Sequence, residues 1–143
     1  MNKFYIFLII QILLFNSCRV KHSSNELFNN EISTKYFQKA QDLIIANKRD
    51  SALIYFNKAD SIAPNTAIIL HERGLLKSHL TSFEDALVDI NKSIELTTDE
   101  KQKQIRIANR GNIYMEMGNK DKACEDWHNA GKWGKSSIKK FCE

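Results

Sequence analysis

The sequence predicts an all-α fold of stacked helical pairs, and three observations predict it. DSALIYFNKADSIAP (residues 50–64) aligns without a gap to EDALVDINKSIELTT (84–98) at an offset of 34. Within each copy the apolar residues recur three and four apart, the spacing that keeps them on one face of a helix. Small residues also return at fixed places, where two helices can approach closely.

The elements follow in order from the first residue. Lys3 precedes FYIFLIIQILLF (residues 4–15), an apolar run broken only by Tyr5 and Gln11. A spanning helix needs about 20 apolar residues, whereas runs of about 10–14 are more often signal-peptide cores. Asn16 and Ser17 form a small, polar exit, and Cys18 follows at once. This stretch, LFNSCRV, resembles the signal of bacterial lipoproteins in the looser form met in Bacteroidetes-like bacteria. Ser17 takes the small position, while Phe15 stands where the family has a leucine. The resemblance implies that residues 1–17 are removed and that Cys18 is lipidated as the first mature residue. The protein would then be held to the bacterial cell envelope by acyl chains (palmitate among them), with its domain facing the periplasm. The alternative is an ordinary cleaved signal or an uncleaved anchor. Residues 18–32 read as lipidated N-terminus and polar tether, Leu27 and Phe28 being the side chains suited to dock on the first helix.

The formal net charge is +4; removing the leader takes only Lys3, which leaves +3. Basic and acidic residues alternate throughout, as in NKDKACED, so no face forms a phosphate-binding stripe and nucleic acid is not expected as a partner.

From residue 33 onward the pattern predicts helices at 34–47, 50–62, 67–80, 83–96, 100–117 and 120–131, with a short capping helix at 136–142. The one proline, Pro64, falls between units, as a helix stop should. A third copy, KACEDWHNAGKW (122–133), lies 37 residues beyond the second, and the three extra residues lengthen the fifth helix. ERGLLKSHL (72–80) and NRGNIYMEM (109–117) share an Arg-Gly pair, with Ala40 at the glycine place in the first copy.

These units resemble the tetratricopeptide repeat, a helix–turn–helix unit of about 34 residues. Its small, small, large and small positions are matched by Ala40, Ala52, Phe56 and Ala59, then by Gly74, Ala86, Ile90 and Ser93. In the third copy Gly111, Ala123, Trp127 and Ala130 take them. Pro64 closes the first unit as the family's proline does, whereas Thr98 and Lys135 replace it later. The fold expected is a short solenoid of three such repeats (about 33–66, 67–100 and 104–137) with a C-terminal cap (136–143), one domain over 33–143. A lone repeat cannot bury its apolar face, and about three plus a cap is the minimum for stability.

Lipidation of Cys18 would leave Cys124 and Cys142 as an even pair in a compartment that permits disulfides. Either they bridge, stapling the cap to the last repeat, or Cys124 is a small core residue and Cys142 a thiol. The bridge is preferred.

No catalytic residue, cofactor or metal site is expected. His71 and His79 lie eight apart, about 12 Å along a helix, too far to share one metal, and Glu125 with His128 is a single E-x-x-H. What remains is a binding surface. The resemblance implies a groove along the first helix of each unit that takes an extended peptide or a partner helix. In this chain it would present Phe37, Gln41, Ile45, His71, Leu75, Ser78, Asn112 and Met115. The variant that grips chaperone C-terminal carboxylates is disfavoured: Phe37 and Ile105 replace its lysines, Gln41 and Glu72 its asparagines, and Asn109 its arginine. A noncatalytic scaffold or adaptor is therefore expected. The rivals are a structural or self-assembling subunit of an envelope complex and a small-molecule or metal site around His71, Glu72 and His79.

Overall fold

The computed structural model describes residues 30–143. The leader, Cys18 and most of the tether, with Leu27 and Phe28, lie outside the described residues. The described chain is α1 (Glu31–Ile45), α2 (Arg49–Ile62), α3 (Ala67–His79), α4 (Phe83–Leu96), α5 (Glu100–Glu116) and α6 (Lys120–Asn129). A 3₁₀ turn, Gly131–Trp133, then leads into α7 (Lys135–Phe141). It is all-α: a tetratricopeptide-type solenoid in which α1–α2, α3–α4 and α5–α6 pair and α7 caps the last pair.

Helix ends follow local chemistry. The first helix begins three residues earlier than the repeat frame suggests. Asn30 caps it, its side-chain oxygen accepting from the backbone N–H of Ile32 at 2.9 Å and of Ser33 at 3.3 Å. That helix also stops at Ile45, short of the expected 47, because Asn47 is left-handed (φ 57°). The same place in the later units holds Thr81 (φ 62°) and Gly118 (φ 78°), so all three intra-unit turns use one backbone solution. The fifth helix has 17 residues, as the insertion predicts. The sixth stops at Asn129 rather than 131, since Gly131 is left-handed (φ 58°) and starts the turn into the cap.

Each pair is closed by a large side chain of the second helix against a small residue of the first. Phe56, Ile90 and Trp127 are the buried plugs. A Cβ at Gly74 would lie 2.8 Å from Ile90 Cγ1, and one at Gly111 would lie 2.8 Å from the Trp127 ring. In the first unit Ala40 and Phe56 are buried in one cluster. In the first two units a second seam joins the start of the first helix to the end of its partner. Ser33 Oγ donates to the Ala59 carbonyl at 2.9 Å, and in the next unit Ser93 Oγ donates to the Ala67 carbonyl at 2.7 Å. The two bonds span the same pair of repeat positions with donor and acceptor exchanged.

Arginines clamp the second and third units. Arg73 on α3 makes a two-pronged bond to Asp89 on α4 (2.7 and 2.8 Å) and reaches back to Asp60 on α2 at 2.8 Å. Arg110 on α5 repeats this with Asp126 on α6 (2.8 and 2.7 Å) and with Asn91 on α4 at 2.7 Å. Both guanidinium pKa values are raised, chiefly by these carboxylate hydrogen bonds. A raised value keeps the clamp's stabilisation in full below arginine's unfolded value and loses it only as pH climbs through the folded one. On the arginine side it therefore holds at every ordinary pH.

The cap is fixed by three contacts. Phe141 stacks on Trp127 (centroids 5.7 Å apart), Cys124 and Cys142 are joined through their sulfurs, and Gly134 passes directly over the Trp127 backbone. A Cβ on Gly134 would lie 2.0 Å from the Trp127 carbonyl oxygen, so only glycine fits.

Candidate functional site

The first helices of the three units lie on the inner side of the curve. Helices α3 and α5 touch each other, whereas α2 and α4 make no comparable contact. Two polar pairs stitch the inner seam between α3 and α5. His71 Nε2 lies 3.0 Å from Asn109 Nδ2, and Ser78 Oγ donates to Glu116 Oε2 at 2.6 Å. His71 Nδ1 is also 3.3 Å from Glu72 Oε1. The consistent assignment has Nδ1–H donating to Glu72 and Nε2 accepting from the Asn109 amide.

Between α1 and α3 the inner side is open. No polar side-chain bond crosses this seam among the described residues, and a hollow of about 390 Å³ lies there, lined by Gln41, Asp42, Ile44, Ile45 and Glu72. Ile45 is 85% exposed, an unusual state for an isoleucine on a packed helix.

The expected groove residues therefore divide. Gln41 and Ile45 line the hollow. His71 and Ser78 face the same side but are engaged by α5, with Ser78 buried. Leu75 and Met115 are half-buried and pack into the second and third core clusters. Asn112 is exposed, and its side-chain oxygen accepts from Trp127 Nε1 at 3.0 Å. Phe37 departs from the expectation: it is 4% exposed and packs edge-on against Phe56 (centroids 5.6 Å apart). A ring that fills the space between α1 and α2 is a core residue, whatever its register in the repeat. Sequence reasoning missed Asp42, Ile44 and Glu116 as inner-side residues, and it gave Asn109 no link to His71. The spacing of 38 that joins both stitches was present in the sequence as a signal.

Among the described residues no group of His, Cys, Asp and Glu is placed to hold a metal ion. His79 is exposed and stands apart from the His71–Glu72 pair. No described helix is long and apolar enough to cross a membrane.

The repeated pairs, the left-handed turns and the small-against-large seams define a helical repeat solenoid. The family model for the tetratricopeptide repeat matches residues 107–126, the heart of the third unit. Among solved structures the chain is similar to the TPR2AB domain of yeast Sti1 in complex with pHSP90, with 19% sequence identity and a TM-score of 0.66. The match covers 78% of this chain and 49% of that one, so it spans about half of the larger domain. The likeness is one of fold. No curated protein matches in sequence.

Proposed function

We propose that the protein is a noncatalytic adaptor of the bacterial cell envelope, lipidated at Cys18, whose inner helices hold an extended peptide or a partner helix. The observation that carries the reading is the inner side itself. It pairs an open hollow with exposed isoleucines at α1–α3 and a stiff polar seam at α3–α5. A preformed wall of mixed apolar and polar groups favours binding by complementarity, because little side-chain entropy is lost on engagement. Lipidation would add affinity for partners on the same membrane by raising local concentration.

The pHSP90 of the similar structure is that domain's partner. Here the lysine and arginine places of a carboxylate grip hold Phe37, Ile105 and Asn109, so a different ligand chemistry is proposed below. A self-assembling structural subunit is the second reading, favoured by the exposed Ile54 and Val88, which occupy one repeat position on the outer helices.

Two measurements test the proposal. Intact mass of the membrane-extracted protein should show a chain beginning at Cys18 plus acyl groups; an unacylated chain retaining residues 1–17 would sink the anchor. Amide chemical shifts of the labelled domain under a bound peptide should move on α1, α3 and α5. Shifts confined to α2 and α4 would instead favour the self-assembling reading.

A further inference from the structure

Resting on the peptide-groove reading, we infer that the hollow between α1 and α3 selects a basic side chain, lysine or arginine, from its partner. The argument is one of charge placement. The chain is net positive at +4, yet no lysine or arginine lines the hollow, and two carboxylates, Asp42 and Glu72, do.

Most cations of the inner helices are committed elsewhere, and the others, Lys39, Lys101 and Lys103, do not line the hollow. Arg73 is held by Asp60 and Asp89, Lys77 reaches Asp89 at 2.8 Å, and Arg110 is held by Asp126. Arg106 is buried, and Lys35 pairs with Glu31. Among the described residues Asp42 has no ion-pair partner, and Glu72 pairs with the imidazole of His71 alone.

The apolar wall completes the match. Ile44 and Ile45 offer aliphatic surface beside the carboxylates, and long basic side chains bury their methylene stems while keeping the charged head wet. An acidic or C-terminal carboxylate ligand would meet like charge at the same place. The hollow is thus the electrostatic opposite of a carboxylate grip built on the same fold.

The test is selection of a random peptide library on the full chain, followed by affinity measurement of the enriched peptide and its basic-to-Gln variant. The expected result is enrichment of Lys or Arg, depletion of Asp and Glu, and about fivefold weaker binding for the Gln variant. That preference should shrink as salt rises. The double variant Asp42→Asn, Glu72→Gln should lose the preference, while Asp121→Asn on the remote α6 turn should keep it. Peptides that shift α1 and α3 without any basic preference would overturn this inference and leave the groove reading standing. No enriched peptide at all would overturn both. A photo-crosslinker at Gln41 that joins residues 18–29 of its own chain, or a second copy, would assign the hollow to that occupant and overturn the proposal.

Discussion

The first unit and the third share one frame but are closed by different forces. In the third, Arg110 grips Asp126, Trp127 plugs the helix pair, and the cap is stacked and covalently joined over it. In the first, the corresponding places hold Lys39 and Tyr55. Aromatic contacts replace the clamp: Phe37 lies against Phe56, Tyr36 beside Tyr55, and Lys58 over the Tyr55 ring at 5.0 Å. The first helix pair is therefore held mainly on its inside and outer flank. Its inner end carries exposed isoleucines and opens toward α3. The difference teaches that rigidity and ligand access are divided along this solenoid, with the stiff end capped and the accessible end left open.

The comparison can be broken most severely at the stiff end. Trp127→Ala removes a buried ring and its bond to Asn112, and should cost about 3–5 kcal/mol by chemical denaturation. Hydrogen exchange should then rise in α5–α7 before α1–α2. Asp89→Ala leaves Arg73 with Asp60 as its one carboxylate and Lys77 without its partner, and should cost about 3 kcal/mol, whereas Tyr55→Phe at the same position of the first unit should stay within about 0.5 kcal/mol. Equal effects would mean that the clamp adds nothing beyond packing. Cys142→Ser opens a loop of sequence separation 18. It should lower stability by about 3 kcal/mol on the chain-entropy estimate, with lost protection confined to α6 and α7. The smallest effect sharpens the contrast between turns. Thr81→Asn should raise stability by about 0.5 kcal/mol, since asparagine tolerates the left-handed region better than a β-branched residue, and Asn47→Thr should lower it by a similar amount.

The repeat frame was legible because its constraints are periodic. Small residues at Ala40, Gly74 and Gly111 and plugs at Phe56, Ile90 and Trp127 recur wherever two helices must touch. The Arg73–Asp89 and Arg110–Asp126 clamps were equally periodic, each pair 16 apart. They are hidden within the Arg-Gly pairs, where the glycine alone satisfies the repeat pattern. Phe37 was misplaced for a different reason. Repeat register assigns a direction, but an aromatic ring beside another ring gains more from burial than from lining a wet wall. The hollow was invisible for want of the α1–α3 spacing, which no residue pattern encodes.

The link between Cys124 and Cys142 also fixes how the molecule would respond to force. Tension applied at the two ends would pass through the sulfurs and bypass the residues between them, hiding roughly 60 Å of chain from the fully stretched length. Every unit in series would carry the same load, and the open first unit, which lacks the arginine clamp and the bridged cap, would yield before the bridged end.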